Sequence, residues 1–591
     1  MLKSHYRLAV ALASVLVLAP TIVRGQGIIH NPPLPRPAPT RSALARPAPT
    51  RGAPARSVPA RVTPARPASL AAPAARGLPS GQDLLRAQGV LRGSNSHAAP
   101  TVRTGHEPLN MVRDRPEELG QVPDHFFWLR RGLQAAQDPL DGDLVFITDQ
   151  GRIAGRAALP SGFVIDRVVL DRTQIRLLDK TGRRQVSVAR NIDASSVKSL
   201  QALPVMANRE REIEVTRRGP RQLVLRDRRR SGARPLDVRA ITAGTLAQAR
   251  EIGARTATSR YVVSEEIVAT VPSLQVRVFV NRFDRAGKLT GIAHIPIEGL
   301  EVVPHDFITI DDRGVVRALL PTAGGVKIRE YKFSRPPRRR NGASEVQIKS
   351  LGRAIHEFAV PTNVQGGING QRTFRKAGVR FEVKPPAPSI SREQVVKNAQ
   401  AYLTVDWVME KQNYSNPAVE NLCSPKKAKF WRRPSRFTSA LVGKTIGPMP
   451  YRWGGGDTPE TFKARIQIGA LAGDVCTCRS AALDYCLVQG SAGVDCSGFV
   501  SRAWGIGKRG TSGLLDVATK LKSIADLQPG DAFDWPGHHV RLFIGMAPGP
   551  EVAFTVLEAS TRLACEGVCE RTYRPSEMNG FELIRYKGIS G

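Results

Sequence analysis

Seven cysteines and ten histidines are the side chains here best suited to covalent chemistry, and two of them stand in surroundings that favour it. Cys496 lies in Gly493-Val-Asp-Cys-Ser-Gly-Phe-Val500, where Phe499, Val500 and Ala503 recur at helical spacing. That spacing predicts a helix starting at or near Cys496. Unpaired N–H groups and the dipole at a helix start favour a thiolate, the form that attacks carbonyl carbon. Ser497 and Gly498 are small enough to admit a substrate, and backbone N–H groups here, that of Cys496 included, are placed to stabilise an oxyanion.

A thiol needs a base. After the turn Trp535-Pro-Gly537 comes His538-His539-Val-Arg-Leu-Phe-Ile-Gly545, whose alternation predicts a strand with His539, Arg541 and Phe543 on one face. His538 then faces the other way or lies in the turn, so only one of the pair can serve the thiol. Val556-Leu-Glu558-Ala-Ser560 reads as the next strand, and Glu558 is placed to accept from the imidazole N–H and fix its tautomer. A cysteine of an exported chain is commonly half of a disulfide, and an isolated glutamate is commonly a surface or salt-bridged carboxylate. The Asp-Cys-Ser-Gly setting and the odd cysteine total argue the other way for Cys496.

Four motifs occur in a telling order: Pro450-Tyr451-Arg-Trp-Gly454-Gly455, Asp495-Cys-Ser-Gly-Phe-Val500, Leu527-Gln-Pro-Gly530-Asp531 and His539-Val-Arg-Leu-Phe-Ile-Gly545. Together they resemble the NlpC/P60 superfamily of cell-wall peptidases over 445–585. The resemblance implies a papain-like α+β catalytic domain with Cys496 as nucleophile, His539 as base, Glu558 as the residue orienting the imidazole, and substrate contacts at Tyr451, Asp495 and Ser497. It implies hydrolysis of an amide bond, in peptidoglycan stem peptides, through a thioester and without metal or cofactor. Two departures stand out: glutamate fills a place where the family has His, Asn or Gln, and 457–493 is long for the interval, reading as a disulfide-pinned insertion over the cleft. Transfer of the acyl group to an amine or lipid would use the same thioester. A non-enzymatic binder of anionic envelope polymers is a further reading.

These residues need a compartment and a scaffold. Lys3 and Arg7 precede the apolar stretch 8–19, and small residues follow near Gly25. That pattern is a signal peptide over 1–25, too short in its apolar part to cross a bilayer, and no other segment is long enough. A secreted, periplasmic or cell-envelope-associated protein is expected, and disulfides with it. All seven cysteines lie at or beyond Cys423, so one must stay free or bond outside the chain. Cys476, Cys478, Cys565 and Cys569 lack the usual zinc spacing, which leaves a metal site as the lesser alternative. With 87 Lys and Arg against 51 Asp and Glu, the net charge of +36 draws anions, peptidoglycan or another anionic envelope polymer among them. The arginines lie among Pro and Ala rather than beside stacking aromatics, which argues against nucleic acid.

The chain divides by composition. Residues 26–110 form a Pro/Ala/Arg-rich arm, expected to be disordered, that repeats Arg-Pro-Ala-Pro-Thr-Arg at 36–41 and 46–51. Residues 120–332 read as an all-β region of hairpins with faint repeats, propeller-like or a sandwich. The stretches 146–160 and 307–321 look like copies of one unit, and Asp179 with Gly182 and Asp284 with Gly287 mark hairpin turns. A basic, Pro-rich linker is expected over 333–388. Ser391-Arg-Glu-Gln394 then opens a helical lead-in to the cysteine-bearing unit, 389–591.

Overall fold

The structure, a computed structural model, describes 119 and 122–590 except 131, 140–141, 171–172, 206–212, 229–231, 233, 254–258, 301, 323–324, 338–341, 362–387, 416–430, 477–487 and 489. The expected signal peptide and the whole of the expected arm, 26–110, lie outside these residues. Among the described residues no helix is long and apolar enough to cross a membrane.

Five antiparallel sheets follow one another along the chain, at 126–157, 165–204, 213–239, 245–295 and 308–360, each with strands paired in sequence order. Such meanders arise where alternating apolar residues are broken by turns that need a left-handed residue. Gly182 and Gly287 take φ of +65° and +78°, while Asp179 and Asp284 accept from the N–H of Arg184 and Lys288 at 3.1 and 2.9 Å. The similar stretches 146–160 and 307–321 are both hairpins, with Gly151 and Gly314 at +79° and +80°. They sit differently, however: the first supplies the third and fourth strands of its sheet, the second the first and second. Shared turn chemistry, and not a shared place in a repeat, explains the likeness.

The expected linker gives way at 342–361. Ser344 caps helix α1 (Glu345–Ser350), and Ala354–Val360 pairs with Gly325–Tyr331 to complete the fifth sheet. Phe358 and Val360 are buried there against Leu319 and Ile328. The Arg and Pro residues at 335–340 hid this short amphipathic strand. The same apolar cluster joins the first sheet to the fifth through Phe126 and Val145, and other clusters join the first to the second and the third to the fourth.

Beyond 388 helix α2 (Arg392–Leu403) starts at Ser391, whose hydroxyl accepts from Gln394 N–H. Helix α3 (Cys496–Ala503) follows, and then a six-stranded antiparallel sheet: β1 (Ala518–Lys520), β2 (Ala532–Trp535), β3 (His539–Met546), β4 (Phe554–Ser560), β5 (Gly567–Tyr573) and β6 (Glu582–Tyr586), in the order β1-β6-β2-β3-β4-β5. Because strand side chains alternate, this sheet has two apolar faces. Val540, Leu542, Leu557 and Ala559 pack under Phe499 and Val500 of α3 and Val395 and Ala399 of α2. Phe533, Phe543, Phe554 and Val556 point the other way, into a core shared with Val263, Val278, Ile310 and Val316 of the fourth and fifth sheets. Backbone hydrogen bonds cross the same boundary, Leu274 to Phe581 and Val552 to Ala247, at 2.8 and 2.9 Å. Residue 389 is thus a change of composition, and 389–591 is not a separately packed unit.

Candidate functional site

Asp495 sets the start of α3. Its Oδ1 accepts from the N–H of Gly498 at 2.6 Å and from the Ser497 hydroxyl at 3.1 Å, and Lys508 Nζ lies 2.9 Å from Oδ2. Cys496 is therefore the first helical residue, as its spacing predicts, and its N–H is among those that a helix leaves without an internal partner. The two expected substrate contacts Asp495 and Ser497 are occupied with each other and with the helix cap. A Cβ on Gly498 would overlap the carbonyl oxygen of Gly455, so this glycine is required by the close approach of two motifs rather than by a substrate. Tyr451 is buried, and burial, followed by Cys496, Asp495 and Asp474, holds its phenol well above the usual range.

Cys496 is the free cysteine among the described residues, and Cys565 and Cys569 are joined to each other. That disulfide removes both from any zinc site. Cys476 is disulfide-bonded too. Cys423, Cys478 and Cys486 lie outside the described residues.

The thiol is 8% exposed, and burial first, then Asp495, pushes its pKa far up. Hydrogen bonds from the backbone N–H of Val540 and Ser497 oppose this without reversing it. The helix start does not yield the resting thiolate that sequence suggests, because desolvation outweighs the terminal dipole here.

His539 opens β3 on the face of Arg541, as the alternation predicts. Its Nε2 is 2.7 Å from Oε2 of Glu558, a carboxylate that is completely buried. A carboxylate only accepts, so the proton belongs on Nε2 and the lone pair on Nδ1. Glu558 also accepts from Arg541 Nε at 3.2 Å and from the Tyr573 hydroxyl. Burial alone would raise Glu558; Arg541, His539 and Arg571 together hold it well below the carboxylate range. Burial lowers His539, and Glu558 only partly compensates. His538 stacks on Trp535, its Nδ1 buried without a hydrogen bond, and burial takes it down to about 4.

Cys496 starts α3, which packs on the Val540 face of β3, and His539 opens that strand. The N–H of Val540 favours the charged form of the thiol, and His539 is the preceding residue, its Nε2 held by Glu558. The pleat turns Val540, on the α3 side, and His539 to opposite faces of β3. The arrangement holds a neutral thiol, a neutral imidazole and an ionised carboxylate.

Sequence reasoning missed Asp534. It is completely buried on β2, cross-strand from Val540, neither carboxyl oxygen has a hydrogen bond, and its charge is felt at Cys496. Burial, then Glu582, raises it to about 8. The alternation Ala532-Phe-Asp534-Trp could have placed it on the inner face with Ala532.

No family model and no curated protein matches the chain. Among solved structures, Hsv2 of Kluyveromyces marxianus is 9% identical over 40% of this chain and 68% of its own, with a TM-score of 0.17. Hsv2 of Kluyveromyces lactis is 7% identical over 40% and 83%, also at 0.17. A puromycin-hydrolysing peptidase of Mycobacterium tuberculosis is 14% identical over 39% and 47%, at 0.15. TM-scores this low carry no argument about fold or function.

Proposed function

We propose that this chain is an NlpC/P60-like cysteine hydrolase with a papain-like C-terminal arrangement, cleaving amide bonds in peptidoglycan stem peptides. The observation that supports the reading is Cys496 at the start of a helix packed on β3, the strand that His539 opens with its Nε2 held by the buried Glu558. In this reading the thiol gives its proton to Nδ1 of His539 as the sulfur attacks the carbonyl carbon. The tetrahedral oxyanion is met by N–H groups at the start of α3, and the imidazolium returns the proton to the departing amine. Water then attacks the thioester with His539 again as base, releasing the acid and the thiol. The neutral resting thiol makes His539 a base that acts during attack.

The five meanders read as a propeller-like body, and this body with the basic arm supplies attachment to an anionic envelope polymer. A secreted or cell-envelope location goes with that role. The burial of Cys496 favours one competing reading, a non-enzymatic envelope binder. Digestion of muropeptides by the purified protein and by Cys496→Ala, followed by mass spectrometry, separates the two. New amine and carboxyl termini produced only by the wild type are the expected result; identical patterns end the hydrolase reading.

A further inference from the structure

Behind the imidazole, three guanidinium groups crowd one phenol. Arg541, Arg571 and Arg562 lie 3.8, 5.2 and 5.6 Å from the centre of the Tyr573 ring, whose hydroxyl donates to the Glu558 that holds His539. Arg541 is fixed by Glu558 and by the carbonyl of Glu577, 3.1 Å from Nη1. The other two reach out of the C-terminal sheet. Arg562 Nη1 lies 3.0 Å from Oδ1 of Asp124, and Arg571 Nη2 lies 3.8 Å from Oδ2.

Asp124 is 438 residues from Arg562 in sequence and directly precedes the first sheet of the β-rich region. Its place is fixed. Its carbonyl accepts from Asp306 N–H at 2.9 Å, Phe126 N–H donates back to the Asp306 carbonyl at 2.9 Å, and His125 Nδ1 lies 3.1 Å from the Asp306 carboxylate. That carboxylate in turn is 3.1 Å from Arg574.

Three cations here face Glu558 and Asp124, and Arg562 also feels the buried Glu577, which is itself held by His305 and Arg574. Without Asp124 the carboxylate with the strongest remaining pull on Arg562 and Arg571 is Glu558. A guanidinium is a stronger, two-pronged donor than the Nε2–H of a neutral imidazole, so it would displace that hydrogen bond. We propose that Asp124 is a positioning residue for the His539–Glu558 pair, holding Arg562 and Arg571 so that the Glu558 carboxylate stays with the imidazole. The inference rests on the reading of His539 as the base, and Asp124 itself touches no reacting atom.

The test uses the full chain and the variants Asp124→Asn, Asp124→Glu and Asp124→Asn/Arg562→Gln. Ring-nitrogen NMR on 15N-histidine-labelled protein, with His539→Gln to assign the signal, reads the tautomer without needing activity. Wild type, Asp124→Glu and the double variant are expected to keep the proton on Nε2, and Asp124→Asn to show mixed tautomers. On a muropeptide substrate, Asp124→Asn should lose kcat by on the order of tenfold to a hundredfold with KM unchanged. Its acid limb should move to lower pH, because the uncovered positive charge disfavours the imidazolium. An unchanged tautomer in Asp124→Asn, or a kcat loss that the double variant fails to recover, overturns the proposal. Should Asp124→Asn not fold, Asp124→Ser takes its place: mixed tautomers support the proposal and an unchanged Nε2 proton refutes it. Failure of the hydrolase reading would show as absent digestion by wild type, with the NMR comparison still standing.

Discussion

Nε2 of His539 lies 2.7 Å from Oε2 of Glu558, so the imidazole is tied to a buried carboxylate and not to the thiol of Cys496. Burial and Asp495 keep the thiol protonated, and burial keeps His539 neutral. Alkylation of Cys496 by iodoacetamide, followed by peptide mass spectrometry, should therefore climb with pH beyond the midpoint of a free thiol at about 8.5. A plateau at about pH 6 would reveal a resting thiolate–imidazolium pair and contradict this account.

Replacing Glu558 by Gln keeps the shape and removes the charge. His539 loses a charge-assisted hydrogen bond, and Arg541, itself nearly buried, loses its counter-ion. Activity should fall on the order of a hundredfold. Stability should drop by on the order of 3–5 kcal/mol, because a buried guanidinium is left unpaired. Paired kinetic and denaturant measurements check both, and a Gln variant of wild-type stability would mean that Arg541 has another anion.

Asp534 gives a pH signature. Its folded-state pKa of about 8 stands above the unfolded value of 3.8, so between those limits the native state binds more protons than the unfolded chain. Stability must then fall as pH rises through the window, by about 1.4 kcal/mol per pH unit. Asp534→Asn should remove that slope and match the wild type only below the window. Melting curves across pH 4 to 8 test this, and parallel profiles for the two proteins would rule it out.

Gly498→Ala should cost about 1–3 kcal/mol, since its Cβ would strike the Gly455 carbonyl and push α3 from the 455–456 backbone. Gly513→Ala is the control: its added methyl meets no atom nearer than 3.7 Å. Equal melting temperatures for the two variants would remove the packing explanation for the Asp-Cys-Ser-Gly motif.

Local chemistry was legible in the sequence. The spacing after Cys496 gives the observed start of α3, the alternation from His539 gives the face shared with Arg541, and the Asp and Gly pairs at 179–182 and 284–287 give the hairpin turns. What depends on distant chain was not. The protonation state of Cys496 follows from how deeply β2 and β3 cover it, which no window around residue 496 encodes. Asp124 is invisible to any local pattern because its partners lie at 562 and 571. The strand 354–360 was masked by the Arg and Pro residues before it.

The six-stranded sheet, clothed by helices on one side and by the 245–360 strands on the other, also limits how this protein can be taken apart. A piece cut at 389 and grafted elsewhere would carry Phe533, Phe543, Phe554 and Phe581 into water. Each large apolar side chain stripped of cover forfeits about 1.5–3 kcal/mol. Such a cassette would precipitate or recruit a stranger to its naked face, so domain shuffling can move this C-terminal end only together with its β-rich companion.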